Sequence, residues 1–76
     1  MKNISGKELV ALLDKKLGYK LIHQKGSHFK LKNNNKTASI PNHNPLKTGT
    51  LNAILRQVAE KENLQVSELK DILNEQ

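Results

Sequence analysis

Cysteine and tryptophan are absent from this 76-residue chain, and Tyr19 and Phe29 are its only tyrosine and phenylalanine. Without cysteine there are no disulfides and no thiolate metal sites, so a reducing compartment is acceptable. No apolar run approaches the roughly 18 residues of a membrane span. The opening Met1–Gly6 leads directly into a polar helical pattern with no apolar h-region. We therefore expect no signal peptide and a soluble, cytoplasmic protein without membrane association. The length predicts one small domain over residues 1–76, with a modest core.

Acidic residues are missing from the middle of the chain. Residues 15–59 hold eight lysines and Arg56 but no Asp or Glu, whereas the flanks hold all seven acids against Lys2, Lys7, Lys61 and Lys70. A basic middle between weakly acidic ends implies a surface for a polyanion. The same absence argues against a metal site. Three histidines are present, but no carboxylate or thiolate lies near them in sequence to complete a ligand set, and nine positive charges repel a cation. We expect no metal and no other cofactor.

The order of elements follows from periodicity and punctuation. Ser5-Gly6-Lys7-Glu8 is a capping box, with Ile4 and Leu9 at staple positions. Leu9, Leu12, Leu13 and Leu17 form a helical stripe closed by Gly18, which predicts a helix over 6–17. Tyr19 to Lys25 reads as a strand whose inward face is ambiguous, because Leu21 and Ile22 are adjacent. Lys25-Gly26-Ser27 is a turn, and His28 to Lys32 is a strand of clean alternation. Asn33 to Lys36 is a turn, since Asn tolerates left-handed backbone angles. Thr37 to Pro41 is a third strand, stopped by a proline that has no amide to donate. After a polar loop, Thr48-Gly49-Thr50 opens a helix with Leu51, Ile54, Leu55, Val58 and Ala59 inward and Asn63 capping its end. A short last helix is expected with Ser67 as N-cap and Leu69, Ile72 and Leu73 inward. The fold class is α+β: an α-β-β-β-α two-layer sandwich, a three-stranded antiparallel sheet with the helices on one face, plus the short C-terminal helix. Phe29, Leu31, Ala38 and Ile40 face the helices. His28, Lys30, Lys32, Thr37 and Ser39 face water.

The open face carries a candidate chemistry. His28 follows a tight turn and lies among Lys25, Lys30 and Lys32. Histidine is the side chain suited to moving protons near neutral pH, and lysines attract phosphate. Together they fit cleavage of RNA: His28 takes the proton of a ribose 2′-OH, which attacks the adjacent phosphate while a lysine stabilises the developing charge. DNA lacks that hydroxyl, so it should resist, and no direct DNA binding by the chain alone is expected. With so few aromatics, base stacking is limited and sequence preference should be weak.

The α-β-β-β-α order with a basic surface resembles the double-stranded-RNA-binding fold. More specifically, Gly18-Tyr19, Gln24-Lys25-Gly26-Ser27-His28, Ile40-Pro41 and Lys47-Thr48-Gly49-Thr50-Leu51 with Ile54-Leu55 resemble the HicA family of mRNA interferase toxins over about residues 5 to 65. The resemblance implies a dsRNA-binding-like fold, an endoribonuclease toxin of a toxin–antitoxin pair that cleaves mRNA, and inhibition by a HicB-type antitoxin protein. The family's catalytic histidine falls on His28. Many relatives carry an arginine where this chain has His23, and often a second histidine where it has Phe29. The one-histidine form fits a core-facing Phe29.

On these grounds His28 is the candidate catalytic residue, and Lys25, Gly26, Ser27, Lys30, Lys32 and Lys20 are the candidate RNA contacts. Gly26 serves the turn through its backbone freedom and leaves room for RNA to approach. His43 reads as a loop histidine or a contact to RNA or antitoxin, with a general-acid role as the alternative; His23 stays open between scaffold and function. Two other functions compete. One is a non-catalytic RNA-binding module of dsRNA-binding type, which usually places lysines at the start of the second helix; here only Lys47 precedes that helix. The other is a protein-interaction domain whose basic face receives an acidic partner.

Overall fold

The computed structural model describes residues 4–74. Its elements run α1 (Gly6–Leu17), β1 (Lys20–Lys25), β2 (His28–Asn33), β3 (Lys36–Pro41), α2 (Thr48–Lys61) and α3 (Val66–Asn74). The strands form one antiparallel sheet in the order β1-β2-β3, so β1 and β3 are both edges.

Local chemistry sets each boundary. The capping box at α1 forms in full: Glu8 N–H donates to Ser5 Oγ, and Ser5 N–H donates to Glu8 Oε1, both at 3.1 Å. Ile4 and Leu9 are buried at that end. At the other end Gly18 takes φ +81°, and its amide returns to the Asp14 carbonyl at 3.0 Å. Asn33 Nδ2 adds a bond to the Leu17 carbonyl, which ties the β2–β3 hairpin to the helix end. Asn34 takes the left-handed turn of that hairpin at φ +57°. Asn63, at φ +59°, ends α2, with Leu64 N–H bonded to the Ala59 carbonyl.

Four boundaries differ from expectation. The β2–β3 turn is tighter than expected: Asn33 and Lys36 pair with each other, so β2 ends at Asn33 and β3 starts at Lys36. The first strand starts at Lys20, because Tyr19 belongs to the turn that leaves α1 and is fully buried. The last helix starts at Val66, so Ser67 lies inside its first turn and is not its N-cap. Glu68 Oε1 instead accepts from Gln65 N–H at 3.0 Å. Leu69 and Leu73 are buried there as expected, while Ile72 is only half-buried.

Phe29, Leu31, Ala38 and Ile40 meet Leu9, Leu13, Leu51, Ile54, Leu55, Val58, Leu69 and Leu73 in one apolar cluster. All three helices thus lie on one side of the sheet, and the other side is left to solvent. Phe29 is 4% exposed, so the position after His28 does face the core.

A polar knot fastens the far end of this core. Tyr19 Oη donates to Glu62 Oε2 at 2.8 Å, and Lys36 Nζ lies 2.7 Å from the same oxygen. Burial alone would raise the Glu62 carboxyl, but the Lys36 ammonium and the Tyr19 hydroxyl outweigh it and hold it below its ordinary 4.5. Burial, with the adjoining carboxylate, pushes the Tyr19 hydroxyl well above the usual phenol range. A depressed carboxyl stabilises the fold above its unfolded value, and that stability is lost as pH falls through the folded value. Glu62→Gln should therefore be less stable than wild type at pH 7, with the gap closing as pH drops below 4.5. Urea denaturation across that range measures it; a gap independent of pH would contradict the assignment.

Candidate active site

The open face is built row by row from strand register. Paired residues on antiparallel strands share a face. Lys25 pairs with His28, and His28 with Pro41. His23 pairs with Lys30, and Lys30 with Ser39. Lys20 pairs with Lys32, and Lys32 with Thr37. All of these are exposed except Pro41, which is half-buried. No Asp or Glu lies in any strand, so the whole face is cationic.

The His28 end is held by short connections. Gly26 and Ser27 form a two-residue loop between Lys25 and His28, with Gly26 at φ +57°. A positive angle at the first loop position only is the II′ pattern, which suits the twist of the flanking strands. A Cβ on Gly26 would meet nothing within 4 Å, so the space above the turn is open. Asn42 N–H donates to the Ser27 carbonyl at 2.6 Å, which brings the β3–α2 loop against this turn. His43 thus lies at the same end of the sheet as His28. Its carbonyl accepts from Gly6 N–H at 2.9 Å, and its ring is exposed.

The structure therefore gathers His28, Lys25, Gly26, Ser27 and Lys30 at one end of the face, with Lys32 and Lys20 at the other. Lys20 differs from the rest: its Nζ lies 2.6 Å from Asp14 Oδ1. Its charge is partly matched at the sheet edge, in a pair that is itself solvent-exposed. Among the described residues no carboxylate pairs with Lys25, Lys30 or Lys32. Nor do three His, Cys, Asp or Glu come together as a metal-binding group there. The residue that sequence reasoning leaves undecided is His23, and the structure puts it on this same face.

A helix-backed antiparallel sheet whose bare side is cationic and carries histidine defines a class of small α+β domains with a basic, open sheet face. Within that class the assignment is specific. The family model described as the HicA toxin of bacterial toxin–antitoxin systems matches residues 6–59. The chain belongs to the HicA toxin family, whose members work opposite an antitoxin partner. No curated protein and no solved structure matches the chain. The matched span runs from α1 to near the end of α2 and includes the whole sheet. Among the described residues no helix is long and apolar enough to cross a membrane.

Proposed function

We propose that residues 1–76 act as one domain, a cytoplasmic, metal-independent endoribonuclease that cleaves mRNA and is silenced by a HicB-type antitoxin. The observation that carries this reading is the row in which His28 stands opposite Lys25, beside Lys30, on a sheet face free of acids. His28 takes the proton of the ribose 2′-OH. The oxygen attacks the neighbouring phosphorus, and the bond to the 5′-oxygen breaks to leave a 2′,3′-cyclic phosphate. Lys25 and Lys30 hold the phosphate and stabilise charge that builds on its oxygens. Lys32 and Lys20 extend the track along the face, and the bare turn at Gly26 and Ser27 lets the RNA backbone approach. An antitoxin that lays acidic residues over this face would block the histidine and match the charge.

The test is incubation of the purified protein with single-stranded RNA and the matched DNA in EDTA. RNA should be cut to cyclic-phosphate ends and DNA left whole. RNA bound but uncut would replace this reading with the non-catalytic RNA-binding module.

The lysines make a separate prediction. Each phosphate contact with a single strand contributes about 0.7 to the slope of log K against log salt. The double variant Lys25→Ala/Lys30→Ala should flatten that slope by about 1.4 and weaken binding to all RNA sequences alike. Fluorescence anisotropy at several salt concentrations reads it, and an unchanged slope would remove both residues from the interface.

A further inference from the structure

Along β1 the alternation of sides breaks once. Leu21 pairs with Leu31, a buried residue of the helix-side face. A regular strand would carry His23, two residues on, to that same face. Instead Ile22 stands without a partner, and His23 pairs with Lys30 of the open face. One inserted residue has turned the histidine round, which is how a β-bulge re-aims a side chain. Leu21 and Ile22, on this edge strand, are 47% and 55% exposed.

The product of this irregularity is a two-by-two block. Lys25 stands opposite His28, and in the next row His23 stands opposite Lys30. Histidines occupy one diagonal and lysines the other. Diagonal neighbours on one face of a sheet lie about 7–8 Å apart. A phosphodiester seated at the centre of the block has an imidazole on either side and an ammonium on each remaining side. In-line displacement at phosphorus needs that layout, because the attacking and leaving oxygens lie on opposite sides of the phosphorus.

The surroundings of His23 are almost wholly cationic. Lys20 and Lys25 share its face on β1, and Lys30, Lys32 and His28 share it on β2. The next residue across, Ser39 on β3, is uncharged. From α1, Asp14 reaches the start of β1, where Lys20 is bound to it. His43 lies outside the ladder, in the loop beyond Pro41.

We propose that His23 is the general acid of the reaction, protonating the leaving 5′-oxygen while His28 deprotonates the 2′-OH. The proposal rests on the ribonuclease reading above. In the step the 2′-O–H proton passes to His28 and the 2′-oxygen–phosphorus bond forms. The phosphorus–5′-oxygen bond breaks, and its electron pair takes the proton of the His23 imidazolium. The products are a 2′,3′-cyclic phosphate and a 5′-hydroxyl. Proton exchange with water returns both imidazoles to their starting forms.

The experiment compares the full-length wild type, His23→Ala and His28→Ala on two substrates. One is RNA; the other is uridine 3′-(4-nitrophenyl phosphate), whose leaving group departs without a proton. His23 is exposed, so the variant should fold, and thermal melting verifies it. His23→Ala should cleave RNA about 10²–10⁴-fold more slowly yet stay within about threefold of wild type on the aryl ester. It should also lose the fall in rate on the alkaline side of the pH profile, whereas His28→Ala should lose both substrates. Equal losses of His23→Ala on both substrates, or an RNA rate equal to wild type, would overturn the general-acid role and leave the His28 reading intact. A wild type inactive on both substrates would overturn the ribonuclease reading and this proposal with it.

Discussion

Replacing His28 by alanine is expected to slow RNA cleavage by about 10²–10⁴-fold, the usual contribution of one positioned acid–base group. The same variant should keep its fold and its affinity for RNA. The reason is geometric. His28 is exposed, and its place in the sheet is held by backbone pairing to Lys25 and Pro41. Removing the ring opens no cavity and leaves no buried partner unsatisfied, and surface changes of this kind usually shift stability by less than about 0.5 kcal/mol. The lysines proposed to hold phosphate remain. Single-turnover cleavage, anisotropy titration and thermal melting on one preparation separate the three quantities. A His28→Ala protein that cleaves as fast as wild type would remove the histidine from the chemistry. One that neither binds nor melts normally would show that its role is structural.

His28 stands out in the sequence because its signals are local. A turn glycine, a clean apolar alternation at Phe29 and Leu31, and three lysines lie within eight residues of one another. The capping box at Ser5 and Glu8, the turn at Asn34 and the cap at Asn63 are legible for the same reason: each is a contact between near neighbours. His23 is not legible in this way, and the cause is specific. Leu21 and His23 sit two positions apart yet point to opposite faces, which strict alternation forbids. Only the pairing with β2 reveals that Ile22 is the extra residue. The Tyr19–Glu62–Lys36 knot is hidden by distance along the chain, since Tyr19 and Glu62 are 43 residues apart. Ser67 attracts a cap assignment by residue type, but Gln65 and Glu68 supply the contact that starts that helix.

In the sequence Gly6 is an ordinary position inside the capping box; in the fold it carries the largest stability effect expected of any single methyl group here. A Cβ built on Gly6 would lie 2.0 Å from the Pro41 carbonyl oxygen and 3.0 Å from its carbon. Both atoms are backbone, so neither can rotate away. The approach is close because the start of α1 grips the segment leaving β3. Gly6 N–H donates to the His43 carbonyl at 2.9 Å, and Leu46 N–H donates to the Ile4 carbonyl at 2.8 Å. Alanine must pry these segments apart. Overpacking of this kind commonly costs about 1–3 kcal/mol, and with only backbone to displace we expect about 3 kcal/mol. A domain of this size has only about 4–11 kcal/mol in total and loses about 4–8 °C of melting temperature per kcal/mol, so Gly6→Ala should melt at least 10 °C or so below wild type. Gly49→Ala is the matched control. It also lies in the first turn of a helix, but its added methyl would meet nothing within 4 Å, and its melting temperature should hold or rise slightly. The damage in Gly6→Ala should reach the site as well, because the displaced segment includes Asn42, whose amide holds the Ser27 carbonyl one residue before His28. Cleavage measured well below the melting temperature should therefore fall in Gly6→Ala and not in Gly49→Ala. If both variants melt together, the close approach at Pro41 does not constrain the fold.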